Sequence, residues 1–146
     1  YSKYVHQLLL NIYNNINKFG GVLIMIDYAK NKNDNKSSLS GIFKHKYVDP
    51  FFLPGEADLS VKPDFDFYKS LAVSSKCKVL GPFTQSFFLK KLGIDHRIAK
   101  LVNSNPQLKY TFLSQKERLI DKKFMGEIFK VLIITNKKNK DLIFEI

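Results

Sequence analysis

Apolar residues open the chain at spacings of three and four: Val5, Leu8, Leu9, Ile12 and Ile16 mark one face of an amphipathic helix over residues 2–18. Ser2 can cap its start. Gly20 and Gly21 end it, because a glycine accepts the positive φ at which helices commonly stop. The pattern then changes. Val22 to Asp27, VLIMID, is apolar without alternation, which predicts a strand covered on both faces and central in a mostly parallel sheet. A helix, a glycine turn and a buried strand predict half of a doubly wound α/β unit.

Residues 30–38, KNKNDNKSS, form a polar loop by composition, and residues 39–48 carry the weak alternation of an edge strand. Asp64 stands where an N-cap belongs, ahead of the short helix FDFYKSLAV, whose first turn accepts Asp66 beside the helix dipole. Residues 77–83, CKVLGPF, predict a second strand ending at Gly81-Pro82. Thr84 can cap the helix QSFFLKKLGI, Gly93 stops it, and Asp95 opens another helix through Val102. Pro106 starts or precedes a further helix to about Arg118. Residues 128–135, IFKVLIIT, predict a third strand, and NKKNKD joins it to a short pairing partner, LIFEI. No internal repeat is present.

Between these elements lies a stretch of another kind, residues 45–68, HKYVDPFFLPGEADLSVKPDFDFY. Pro50, Pro54 and Pro63 each fix φ and push the preceding residue toward extended geometry. Gly55 after Pro54 predicts a tight turn. A stiff segment carrying Asp49, Glu56, Asp58, Asp64 and Asp66 either walls a cleft or caps helices.

Composition narrows the function classes. At 146 residues with 45% hydrophobic and 14% aromatic content, the chain has material for a core, which excludes disorder for its bulk. The net charge of +11 would ordinarily raise an anionic partner. Yet 22 of the 24 basic residues are Lys, alongside 11 Asn and 13 Ile, the bias an AT-rich genome imposes through its codons. Bidentate reading of phosphates and bases wants Arg, so the surplus does not point to nucleic acid. Single Cys77 excludes a disulfide framework or zinc site within the chain. No apolar run approaches the roughly 20 residues that span a bilayer. Tyr at position 1, rather than Met, predicts further chain upstream.

At GGVLIMIDY, DPFFLPGEADLS, DF, GPFTQSFFLKKLGID with Arg97, and MGEIFKVL, the chain resembles the MidA family of methyltransferases, which includes the mitochondrial complex I assembly factor methyltransferase. The match runs in order from about residue 18 to residue 136. The resemblance implies an α/β fold: the C-terminal part of a Rossmann-like class I methyltransferase sheet, its last three strands, with a helical insertion before the final one. On that template residues 1–83 and 119–146 are sheet and flanking helices, and residues 84–118 are the insertion. It further implies S-adenosylmethionine as cofactor, a protein-arginine substrate such as a complex I subunit, and a bacterial cytoplasmic or mitochondrial matrix location. The cofactor-binding half is expected to be missing from this chain. Gly20-Gly21 cannot replace it, because a cofactor loop must follow a strand and open a helix, whereas these glycines precede one. The chain departs from the family at Ala29, Lys30, Ser60, Lys62 and Pro63.

With that chemistry in view, Asp27 and Tyr28 close a strand at its carboxyl end, where open α/β sheets bind ligands. The carboxylate could orient a guanidinium and the tyrosine could pack on it, or Asp27 caps the next turn. His45 is a pocket residue or general base, or a structural histidine bonded to a carboxylate. Glu56 and Asp58 can grip a guanidinium in line with the methyl sulfonium, or shape a turn. Asp64, Thr84 and Gly93 are structural caps, and Gln85 bonds either a loop carbonyl or substrate. No metal site is expected. A non-catalytic assembly or interaction module is the rival reading, using a sheet edge left open, with a basic nucleic-acid binder the third.

Overall fold

The computed structural model describes residues 2–28 and 39–136. The opening helix α1, Lys3–Phe19, is capped by the Ser2 hydroxyl, which accepts from the Val5 N–H, and closed at Gly20 with φ 82°. Its Leu9, Tyr13 and Ile16 are buried. The chain continues through strands β1 (Val22–Tyr28), β2 (Leu39–Phe43), β3 (Lys46–Val48) and β4 (Asp58–Val61), helix α2 (Phe65–Ser74) and strand β5 (Lys78–Thr84). Helices α3 (Gln85–Lys91) and α4 (Ile94–Ser104), a 3-10 turn (Pro106–Leu108), α5 (Lys109–Ile120) and α6 (Met125–Ile128) then lead to β6 (Phe129–Thr135).

Two three-stranded sheets result, ordered β1-β6-β5 and β3-β2-β4. In the first, β6 lies antiparallel to both neighbours, with Ile24 opposite Ile133 and Leu80 opposite the same residue. This corrects the expectation for VLIMID. β1 is an outer strand of this sheet among the described residues, and its pairing is antiparallel. Its Val22, Ile24, Ile26 and Tyr28 are between 37% and 47% exposed. The strand buried on both faces is β6, where Val131 to Ile134 are at most 2% exposed. An unbroken apolar run records that both faces suit burial; only the neighbours decide whether both are covered.

Leu132 and Ile134 of β6 meet Leu9, Tyr13 and Ile16 of α1 and Phe65 and Ala72 of α2 on one face, with Leu23 and Met25 of β1 alongside. On the other face Val131 and Ile133 pack under Phe88 of α3, with Leu80 and Leu89. Cys77 is buried in the first layer, its thiol near the Tyr13 carbonyl and the Asn17 amide oxygen, at 3.8 and 3.7 Å. Burial pushes its pKa up, against the lowering effect of Asn17.

Three boundaries depart from expectation. The second strand does not end at Gly81-Pro82; it runs to Thr84 with a register shift between Leu80 and Phe83, so an irregularity absorbs the proline. Residues 39–48 are a hairpin, β2–β3, and not a single edge strand, since Lys44 and His45 both take positive φ (48° and 62°), as a two-residue hairpin turn requires. The third strand opens at Phe129 and not at residue 128, because a short helix, Met125–Ile128, runs up to it, while α5 ends at Ile120, close to the expected Arg118. The polar loop 30–38 and the LIFEI partner fall outside the described residues.

The connecting helices are held by specific contacts. Thr84 Oγ1 accepts from the Phe87 N–H at 3.2 Å, and Gly93 takes φ 82° between α3 and α4. Gln85 is buried and its Nε2 donates to the Leu119 carbonyl at 2.9 Å, so it ties α3 to α5. Lys116 of α5 meets Asp95 of α4 at 2.5 Å and holds that carboxyl below the usual range.

Candidate functional site

Asp27 and Tyr28 end β1 opposite Lys130 and Phe129 of β6. Lys130 in turn faces Thr84 of β5, so this row crosses the whole sheet. Tyr28 lies on Phe129 with ring centroids 4.2 Å apart. Asp27 Oδ1 accepts from the Tyr28 N–H at 2.7 Å. Alternation along β1 places Asp27 on the same face as Leu23 and Met25, the face on which α2 lies.

There α2 begins. Asp64 is its N-cap, Oδ1 accepting from the Phe67 N–H at 2.9 Å. One turn later stands Tyr68, half-buried, with Phe65 and Phe67 edge-on at 6.2 and 5.9 Å. Tyr13 Oη donates to the Tyr68 carbonyl at 3.3 Å, which fixes α2 against α1. Burial raises the Tyr68 pKa, and the carboxylates of Asp27 and then Asp64 raise it further. Asp27, Asp64 and Tyr68 therefore share one electrostatic neighbourhood at the carboxyl end of β1. Tyr68 was not anticipated, although its spacing of four from Asp64 places both on one side of the helix start.

The remaining candidates sit elsewhere. His45 is exposed in the β2–β3 turn. Glu56 donates its N–H to the Leu53 carbonyl at 3.0 Å, closing the turn expected around Pro54-Gly55. Asp58 starts β4 opposite Ile42, one residue before the hairpin end at Phe43–Lys46. These three share one end of the second sheet. The other end, where Leu39 pairs with Val61, is the one that leads on to Asp64. With a rise of about 3.3 Å per residue, β4 separates the groups by roughly 10 Å of strand. Asp49, in the same stretch, accepts from the Phe51 N–H at 2.8 Å and shapes the turn after β3.

Tyr13 links this site to the core. Its phenol is pushed up to about 12, first by burial and then by Cys77 and Tyr68. Both tyrosines are held neutral in the folded state, so their pKa values there exceed the unfolded value of 10.0. The stability they confer is complete below pH 10 and lost as pH rises toward 12. Tyrosinate absorbance and circular dichroism followed together in alkaline solution should show two tyrosines ionising only as the helices melt. Ionisation of every tyrosine near pH 10 with helicity intact would contradict their burial.

No cluster of three His, Cys, Asp or Glu that could hold a metal occurs among the described residues. Nor does any described strand pass through a glycine-rich turn into a helix. β5 enters α3 directly through Thr84-Gln85, and Gly20-Gly21 precede β1.

Residues 1–83 match the family model described as "Putative S-adenosyl-L-methionine-dependent methyltransferase". The chain is similar to the protein arginine methyltransferase NDUFAF7, mitochondrial, of Danio rerio, 32% identical over 80% of this chain and 28% of the relative. It is 33% identical to the Homo sapiens protein of that name over 75% of this chain and 25% of the relative. It thus spans about a quarter of the length of these relatives. Among solved structures, a Burkholderia thailandensis protein superposes with a TM-score of 0.79 at 22% identity, over 92% of this chain and 37% of that one. Another from the same organism, bound to S-adenosyl-homocysteine, gives 0.76 at 23% identity over 90% and 35%.

Proposed function

Because this chain belongs to the MidA-like family of S-adenosyl-L-methionine-dependent methyltransferases, we propose that it forms the C-terminal, substrate-side portion of a protein-arginine methyltransferase that acts in respiratory complex I assembly. The observation that carries this reading is the strand order. β1 and β5 run parallel to each other on either side of the antiparallel β6, as expected of the fifth and sixth strands of a class I methyltransferase around its reversed seventh. The helices from α3 onward then take the place of the insertion before that last strand.

Asp27 is the residue proposed to orient the substrate guanidinium; Tyr28 points to the other face of β1, where it lies on Phe129, and does not share that contact. A carboxylate at a strand end can make charge-assisted bonds to two guanidinium N–H groups and fix which nitrogen faces the methyl donor. His45, Glu56 and Asp58 belong to a second wall, carried on the β3-β2-β4 sheet. S-adenosylmethionine supplies the electrophilic methyl group when bound, and its cradle lies outside the described residues.

Titration calorimetry with S-adenosylmethionine tests the division of labour. This chain alone should show no micromolar binding, and such binding would contradict the missing cradle. When the chain is completed by polypeptide carrying a glycine-rich strand-turn-helix, methylation of an arginine peptide should appear. Asp27→Asn should then lower kcat/KM by about 100-fold, the scale of a lost charge-assisted contact to the reacting group. A non-catalytic interaction module is the second reading, favoured by the place of β1 as an outer strand among the described residues. Recovery of a complex I subunit by a chain that supports no methyl transfer when completed would select it.

A further inference from the structure

Lys130 is the single charged residue of β6, a strand whose next four residues, Val131 to Ile134, are at most 2% exposed. Antiparallel register sets it directly opposite Asp27 of β1. Residues opposite one another in such a pair share a face, with Cβ atoms about 5 Å apart. The face is the one on which α1 and α2 lie, because Lys130 alternates with Leu132 and Ile134, which pack there.

The half-buried lysine has little else to answer its charge on that row. Its other neighbour is Thr84 of β5, whose hydroxyl already accepts from the Phe87 N–H as the cap of α3. The carboxylates near this end of the sheet are Asp27 and Asp64, which both act on Tyr68. Among the described residues no ion pair holds the Lys130 ammonium. The cation therefore stands across from the Asp27 carboxylate without being locked to it, on a four-carbon stem long enough to turn toward it or away.

We infer that Lys130 is a positioning residue for Asp27: a tethered cation that occupies the carboxylate's surroundings in the empty site and competes there with the incoming guanidinium. This rests on the role proposed for Asp27 and adds what limits its grip. An arginine side chain prevails by geometry, since its planar fork meets both carboxylate oxygens whereas an ammonium is a point charge. The like charge left beside it weakens the hold on the bound arginine, and on its methylated product, so that the product can leave.

The test titrates the full chain with N-acetylarginine amide and follows the Tyr28 amide resonance, which reports on Asp27 because the Tyr28 N–H donates to Oδ1 at 2.7 Å. Lys130→Met is expected to tighten binding at least about five-fold, because a like charge leaves the site. Lys130→Arg, which keeps the cation, should stay within about two-fold of the native chain. Lys100→Met, which removes the same charge from exposed α4, should do so as well. In an Asp27→Asn background the gain from Lys130→Met should vanish, which a merely structural lysine would not show. Lys130→Gln replaces Lys130→Met if the spectra show a disturbed fold. Equal affinities of the native chain and Lys130→Met, with binding lost in Asp27→Asn, overturn the role of Lys130 and leave that of Asp27 standing. The same gain in both backgrounds overturns it too, as does the absence of any Tyr28 response in the native chain and Lys130→Met alike. Binding unchanged by Asp27→Asn removes the role of Asp27 itself, and that of Lys130 with it.

Discussion

Gly126→Ala is expected to destabilise the chain by about 3 kcal/mol or more, at the upper end of what overpacking costs. Gly126 is buried in α6, where the chain crosses the end of α5 on its way into β6. A Cβ there would overlap the carbonyl group of Ile120 and would stand 2.8 Å from the Asp121 carbonyl oxygen. Both obstacles are backbone, so no rotamer change relieves them. The Gly126 N–H also donates to the Asp121 carbonyl at 3.0 Å, so a shift that made room would loosen this turn as well. The chain has no Trp, and far-UV circular dichroism in a denaturant titration is the suitable measurement. A midpoint shift worth less than about 1 kcal/mol would mean that the α5–α6 crossing yields easily. Nothing in MGEIFK suggested this constraint, since a glycine at a close crossing looks the same in sequence as one in a turn.

The parts of the fold that were legible rest on local physics. Ser2, Asp64 and Thr84 each accept from a backbone N–H three residues on, because a cap is a contact between near neighbours. The run 128–135 and the strand β6 nearly coincide for the same reason. The hairpin at Lys44-His45 was hidden because neither residue is one of the glycines or asparagines that usually occupy positive φ. Of the site, Asp27 and Tyr28 could be placed from the end of an apolar run. Tyr68 could not, since its relation to Asp27 depends on how α2 lies on the sheet. The stretch 45–68 looked like one wall; the strand β4 within it sets Asp58 and Asp64 at opposite ends.

The largest side-chain effect expected, and the one that separates two similar apolar runs, is at Leu132. VLIMID, with five apolar residues of six, is the more apolar run beside KVLIIT with four, yet Leu132 is 0% exposed and Ile24 is 45% exposed. Leu132 sits at the centre of the layer formed by Leu9, Tyr13, Ile16, Phe65 and Ala72. These come from two helices anchored to one another, by Asn17 Nδ2 donating to the Ser75 carbonyl at 2.7 Å and by Tyr13 Oη donating to the Tyr68 carbonyl. Helices tied in this way cannot collapse into a vacated volume, so the cavity term adds to the transfer term. Leu132→Ala should cost about 4 kcal/mol, within the range for buried leucines whose surroundings stay in place. Ile24→Ala, on the open stripe, should cost under about 1 kcal/mol in this chain alone. Both are read from denaturant midpoints with the slope checked for constancy. Equal costs at the two positions would mean that the β1 stripe is already covered in solution.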